Sequence, residues 1–273
     1  MYICDSHMHT INSFDGNYTL NEMCEAAVAA GLSEIAVTEH CDIDCILDGI
    51  YPKYDEAAVK AAVDEAREKF AGRLVISHGI EIGQPHLRMK ESEALISRSD
   101  YDFVLGSIHN LPDVPDFSLL KFDKMSIEQA ISLWERSLIE LDKIVRCGLI
   151  DSLAHITYPI RYITLAGKKI DLTKYYDRMA KMFEYMIGHG IALEINSSGL
   201  RQGLGFTLPD SGILELYVKC GGKLVTVGSD AHFTEHVGAD ITAVYKMLTD
   251  AGLDSVAVFR GRNPEFVKIE LEN

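Results

Sequence analysis

Near the N-terminus, the run Cys4-Asp5-Ser6-His7-Met8-His9-Thr10 sets two imidazoles two positions apart. Tyr2, Ile3 and Cys4 read as a short buried strand. Alternate residues of a strand share a face, so Asp5, His7 and His9 are expected to point the same way. Two imidazoles on one face can grip one divalent ion. The pattern returns late in the chain as Asp230-Ala231-His232, and between the two stand His40, Glu81, His109 and His155, each at the end of an apolar run. Together His7, His9, His40, Glu81, His109, His155, Asp230 and His232 offer nitrogen and carboxylate donors, a set that suits Zn²⁺, Mn²⁺ or Fe²⁺ better than Mg²⁺. These donors are too many for one ion. At least two ions are implied, some sharing a bridging carboxylate or hydroxide.

Such donors need rigid elements to bring them together. Strands are expected at 34–38, 74–82, 102–108, 151–154, 191–195 and 223–227, after the first. A capping box, Thr19-x-x-Glu22, opens a helix through about Ala30 that Gly31 stops. A helix from about Asp55 puts Val59, Ala62, Val63, Ala66 and Phe70 on one face. Another is expected around 87–98. The clearest starts at Ser126-x-x-Gln129 and carries Ile127, Ile131, Trp134, Leu138, Leu141 and Val145 at four-three spacing up to Gly148. Helices at 172–188, after Pro209, and through Val237, Ile241, Val244 and Leu248 follow, with short strand-like pieces near Val256 and Val267. No linker, repeat or low-complexity segment interrupts the series. Seven or so β/α units predict a single α/β domain over 1–273, closed as a parallel barrel. An open doubly wound sheet would spread the strand-end donors along an edge, whereas a barrel converges them at its C-terminal mouth.

The 273 residues are 47% hydrophobic and carry a net charge of −15, which argues against nucleic acid and anionic membranes as partners. Three divalent ions would change that sum to −15 + 6 = −9, with the positive charge concentrated in one cleft. No apolar run approaches the ~20 residues of a membrane span. No basic region precedes an apolar stretch at the start, so the chain reads as cytoplasmic, with its six scattered cysteines reduced. Cys41 and Cys45, just after His40, are a candidate second zinc pair. His78 should face away from the barrel interior, and His86, His189 and His236 lie at helix ends or starts.

The motifs taken together resemble the polymerase-and-histidinol-phosphatase (PHP) family, and within it the histidinol-phosphatase-like branch. They are His7-x-His9, Thr38-Glu39-His40, Gly79-Ile80-Glu81, Gly106-Ser107-Ile108-His109, His155, Glu194-Ile195-Asn196-Ser197-Ser198-Gly199-Leu200-Arg201 and Gly228-Ser229-Asp230-Ala231-His232, in the family's order. The resemblance implies a distorted (β/α)₇ TIM-like barrel with a trinuclear metal site. One metal would take His7, His9, Glu81 and Asp230, a second Glu81, His109 and His155, and a third His40, His232 and a residue of the loop after the first motif. That residue is Asp15 here, where some relatives have histidine, so two to three divalent ions (Zn, Mn or Fe) are expected.

The activity expected is hydrolysis of a small-molecule phosphomonoester by a hydroxide bridging the metals, attacking in line with the leaving oxygen. L-Histidinol phosphate, hydrolysed to L-histidinol and phosphate in histidine biosynthesis, is the first-choice substrate. Glu81, Asp230, His232 and Arg201 are expected to carry catalysis, with Arg161, Arg201 and Asn196 on the substrate. Asp5 or His232 could serve the leaving group. Segments 42–54, 110–124 and 157–170 should build the pocket, with Asp42, Asp44 or Asp48 meeting the substrate amine. The alternatives are a broader PHP phosphoesterase acting on nucleotides or other phosphates, and a non-catalytic PHP module.

Overall fold

The computed structural model describes residues 1–271. The apolar runs form β1 (Cys4–Met8), β2 (Glu34–Val37), β3 (His40–Asp42), β4 (Val75–Gly83), β5 (Phe103–Ser107), β6 (Ser152–Leu153), β7 (Ala192–Asn196) and β8 (Val225–Gly228). Their pairings are all parallel, in the order β1-β2-β4-β5-β6-β7-β8. β3 pairs with β4 at Glu81 to Gly83, beyond the point where β2 leaves off. β2 and β3 therefore act as one interrupted strand. The last strand returns to the first: Met8 bridges to Ala231, His9 N–H donates to the Ala231 carbonyl (2.8 Å) and Asp230 N–H to the His7 carbonyl (2.8 Å). The result is a mostly parallel sheet nearly closed into the expected barrel, which brings the strand-end donors to one mouth.

Ten helices are wound among the strands: α1 (Leu20–Ala29), α2 (Ile43–Leu47), α3 (Glu56–Lys69), α4 (Met89–Ile96), α5 (Ile127–Arg146), α6 (Tyr158–Leu165), α7 (Tyr176–His189), α8 (Ser198–Arg201), α9 (Ser211–Lys219) and α10 (Ile241–Asp250) among the described residues. Both capping boxes form, at Thr19 and Ser126, and Trp134 on α5 is fully buried. Three details differ from expectation. Asp210, not Pro209, caps α9 by accepting from Ile213 N–H. Val237 lies in the turn before α10. The stretch 157–170, expected to build the pocket and given no helix, contains α6, whose Pro159 occupies the tolerated first turn and whose Ile160 and Ile163 are buried. No helix among the described residues is long and apolar enough to cross a membrane.

Inside the barrel the side chains change character from floor to mouth. At the floor, Ala36, Phe103, Leu105, Ala154, Ala192, Ala257 and Phe259 form a small apolar cluster. Its last two members come from a hairpin of β9 (Ser255–Arg260) and β10 (Asn263–Lys268) that closes the N-terminal end. Arg260 of this hairpin pairs with Glu34 of β2, and Arg262 with Asp151 just before β6. Higher up, Ser152 and Thr226 share a hydroxyl hydrogen bond of 2.8 Å. Above them stand carboxylates and imidazoles.

Candidate metal centre

Glu81 stands at the centre of the mouth, fully buried at the C-terminal part of β4. Its Oε2 lies 3.5 Å from His7 Nε2 and 3.6 Å from His9 Nε2, and both nitrogens lie 3.6–3.7 Å from Asp230 Oδ1. The two nitrogens are 3.0 Å apart. Donors around a tetrahedral zinc with arms of ~2.1 Å sit roughly 3.4 Å from one another. The spacing of His7, His9, Glu81 and Asp230 fits that edge length. Glu81 Oε1 faces the other way, 3.2 Å from His109 Nε2 and 2.9 Å from His155 Nε2. A third group is His40 and His232, 3.4 Å apart through Nε2, with Asp15 3.6 Å from the first and 3.3 Å from the second. His40 Nδ1 also comes within 2.7 Å of Glu81 Oε2, yet neither atom has a hydrogen-bond partner. Buried polar atoms left this way ask for a ligand. The donor chemistry and spacing fit divalent ions, with the two oxygens of Glu81 facing separate donor groups.

A layer of acceptors orients the imidazoles. Glu194 Oε1 lies 2.6 Å from His7 Nδ1, while its Oε2 accepts from the His155 N–H (2.8 Å) and from Asn196 Nδ2 (3.2 Å). Asp42 Oδ1 lies 2.9 Å from His109 Nδ1. Ser13 Oγ meets His9 Nδ1 at 3.2 Å and itself donates to Glu39. Glu194, Glu39 and Ser13 are not among the site residues expected from the sequence, and Asp42, expected on the substrate amine, stands instead on His109. The available clue was alternation: Glu194 precedes Asn196 by two on β7, so both face inward. β8 passes so close that a Cβ on Gly228 would lie 2.3 Å from the His7 Cβ. His155 and Asp230 both have left-handed backbones, with φ of 22° and 57°. Such conformations are costly for non-glycine residues, and both side chains stand in the cluster, His155 Nε2 on Glu81 and Asp230 Oδ1 near His7 and His9.

The cluster sets its own protonation. Burial disfavours the Glu81 carboxylate, but His109, His7 and His40 outweigh it and hold its pKa well below the usual range. Burial likewise opposes charge on His7 and His109, yet Glu194 and Glu81 raise the first, and Asp42 and Glu81 the second, well above an ordinary histidine. His9 is pushed the other way, by burial and by His40 and His232 beside it.

Several expected roles change. Asp5 is turned onto the Ser229 N–H (2.8 Å) and Gly238 N–H (2.9 Å), where the β1–β2 register shifts, so it ties β1 to the loop after β8 and leaves the mouth. Asn196 is fully buried and holds Ser198 and Glu194, so it does not line the cavity. Arg161 stands on α6. It is buried, donates to Ser198 Oγ (2.7 Å) and Asp230 Oδ2 (3.3 Å), and keeps Nε without a partner. Arg201 donates to the carbonyls of Ser229 and Asp230 (2.5 and 2.8 Å), bracing the left-handed turn, and borders an adjoining groove. Of the loop aspartates, Asp42 holds His109, Asp44 accepts from Asn110 Nδ2 (3.0 Å), and exposed Asp48 pairs with Arg88. None lines the cavity of about 250 Å³ over the candidate ligands, whose wall includes Phe14, Asp15, Tyr51, Asp116, Leu119, Tyr158, Arg161 and Tyr162. Cys41 and Cys45 are buried free thiols and join no ligand cluster among the described residues. His78 is buried against Tyr101, and His86 meets Glu140, both apart from the candidate ligands. A larger depression of about 530 Å³ around Lys53, Lys60 and Arg98 is lined by none of these ligands.

The chain resembles known proteins in sequence and in fold. The PHP domain profile matches residues 5–198. The chain is similar to a probable histidinol-phosphatase of Clostridium acetobutylicum, 25% identical over 257 residues that cover 93% of this chain and 96% of the relative. It is similar to the histidinol-phosphatase of Lactococcus lactis, 26% identical over 94% of each chain. In structure it superposes, with a TM-score of 0.82 and 21% identity over 96% of this chain and 98% of the other, on the Lactococcus lactis histidinol phosphate phosphatase crystallised with zinc, L-histidinol and phosphate.

Proposed function

The chain belongs to the PHP domain family, and from that premise we propose that it hydrolyses small phosphomonoesters, L-histidinol phosphate first among them, with two to three divalent ions held at the barrel mouth. The observation that carries this reading is Glu81, which offers one oxygen to His7, His9 and Asp230's group and the other to His109 and His155. The names of the curated relatives support the substrate, and the main apolar cluster, running from Cys4 to Ile269, supports one domain. His7, His9, Glu81 and Asp230 would hold one ion, Glu81, His109 and His155 a second, and His40, His232 and Asp15 a third. Bound there, the ions supply Lewis-acid neutralisation of the phosphoryl charge and a nucleophile available at neutral pH.

The chain's own residues do the rest. Arg161 receives a phosphoryl oxygen, because its Nε is buried beside the ligands without a partner. Its hydrogen bond to Asp230 Oδ2 leaves the other Asp230 oxygen for the ion. Arg201 acts as a positioning residue that keeps Asp230 and His232 in place. Glu194, Asp42 and the Ser13–Glu39 pair fix the imidazole tautomers so that each ring turns a nitrogen inward.

The test is a hydrolysis panel on protein reconstituted with Zn²⁺ or Mn²⁺: L-histidinol phosphate, a nucleoside monophosphate and p-nitrophenyl phosphate, each with and without chelator. We expect metal-dependent phosphate release, highest in kcat/KM for L-histidinol phosphate. A preference for the nucleotide would move the assignment to a broader PHP phosphoesterase. Bound metal with no turnover on any ester would contradict the reading.

A further inference from the structure

One carboxylate at the mouth has no part in the metal cluster. Asp116 is only 9% exposed and lines the cavity over the ligands. Its position is fixed from the metal side, because the loop after β5 turns straight back: Phe117 N–H donates to the carbonyl of His109 at 2.9 Å. Oδ1 of Asp116 accepts from the Ser118 N–H (2.7 Å) and from the Tyr158 hydroxyl (3.2 Å), and Oδ2 accepts from the Tyr51 hydroxyl (3.3 Å). All three donors are neutral, and no lysine, arginine or histidine among the described residues pairs with it. A carboxylate has about four acceptor positions, so one remains on the cavity side. Burying such a group without a cation is costly, and the cost is recovered when a cation arrives with a ligand.

The walls suit a cation. Phe14 stacks on Tyr51 with ring centroids 4.1 Å apart, and Tyr162 meets Tyr158 edge-on at 5.2 Å. Aromatic faces attract cationic ligand groups. The Tyr158 ring also lies 5.3 Å from the His109 ring and 5.1 Å from the His155 ring. One tyrosine side chain therefore spans the distance from the metal ligands to Asp116. The cavity's one arginine, Arg161, is committed to Asp230 at the metal end. The cavity thus has an end for a phosphate and, across a tyrosine ring, an end for a positive charge.

We propose that Asp116, held by Tyr51 and Tyr158, is the specificity-determining residue of this site. It receives the cationic nitrogen of the leaving group, so the preferred substrates are phosphomonoesters of amino alcohols. This rests on the phosphomonoesterase reading above and takes over the role expected of Asp42, Asp44 or Asp48.

Two measurements on zinc-reconstituted wild type, Asp116→Asn and Tyr51→Phe test it. The first is calorimetric binding of L-histidinol alone, which needs no turnover. The second is the ratio of kcat/KM for L-histidinol phosphate to that for p-nitrophenyl phosphate, whose leaving group carries no cation. Asp116→Asn should weaken L-histidinol binding and lower the ratio by about 10- to 100-fold, the range for a hydrogen bond to a charged group. Tyr51→Phe should lower both by less, and zinc content should match wild type in both variants. Unchanged L-histidinol affinity, or equal losses on the two esters, would overturn the proposal and leave Asp116 a brace for its loop. Wild type that binds L-histidinol through Asp116 yet cleaves no ester would support the subsite and overturn the functional reading instead.

Discussion

Single side chains divide, in the proposed reading, into those that would meet an ion, those that aim them and those that would meet the substrate. Glu194 is the clearest of the aiming residues, since one carboxylate fixes the His7 ring and the His155 backbone together. Its replacement, Glu194→Gln, should lower metal affinity about 10- to 100-fold, as is usual for partners of ligating histidines. Competition with a chromogenic chelator measures this, and unchanged affinity would reduce Glu194 to a packing group. The two arginines should separate kinetically. Arg161→Ala should lower kcat/KM on every phosphomonoester by roughly 10-fold or more, the worth of a charge-assisted hydrogen bond, with metal content retained. Arg201→Ala should disturb metal content at Asp230 and His232. The convergence of His7, His9, His40, Glu81, His109, His155, Asp230 and His232 was legible in the sequence because each stands at or just after the end of an apolar run. Their orienting partners were not, since Glu194 and His7 are 187 positions apart and meet only when barrel closure sets β1 and β7 on either side of β8. Asp42, Asp44 and Asp48 read as a solvated recognition loop because their partners Gln84, His109, Asn110 and Arg88 all lie on other segments.

At the scale of elements, the strands and long helices follow from pattern alone. Period-two and four-three spacings are local, and the capping boxes at Thr19 and Ser126 satisfy backbone donors wherever the helices dock. Short elements were harder to see. The eight residues of α6 carry a proline and three β-branched side chains, so nothing local marked them as helix, yet burial of Ile160 and Ile163 makes them one and lifts Arg161 into the mouth. The β9–β10 hairpin appeared in the sequence only as two strand-like pieces, and its role as a floor depends on Phe259 stacking on Phe103 at 5.0 Å. Phe259→Ala should cost about 3–5 kcal/mol of stability, the usual penalty for emptying a buried aromatic site. Chemical denaturation of the metal-free protein measures the loss. Zinc stoichiometry at low temperature should be unaffected, because the floor and the mouth lie at opposite ends of the strands. A loss of zinc without loss of stability would contradict this division.

For the molecule as a whole, an acidic chain of net charge −15 gathers six of its ten histidines, His7, His9, His40, His109, His155 and His232, at one mouth beside Glu81 and Asp230. In the metal-free protein Glu194 and Glu81 beside His7, and Asp42 and Glu81 beside His109, raise the pKa values of these rings and so favour their protonated forms. Ion binding must displace those protons. Zinc loading at pH 7 should therefore acidify a weakly buffered solution, and apparent affinity should fall as pH is lowered, since protons then compete better. Loading without proton release would mean that these rings are already neutral. The central claim is that one buried carboxylate joins two metal positions. The direct measurement is zinc per chain after reconstitution and gel filtration, for wild type, Glu81→Gln and Asp15→Asn. The account predicts two to three ions in wild type, at most one in Glu81→Gln and a loss of no more than one in Asp15→Asn. Glu81→Gln retaining as many ions as wild type, or Asp15→Asn losing as many as Glu81→Gln, would contradict it.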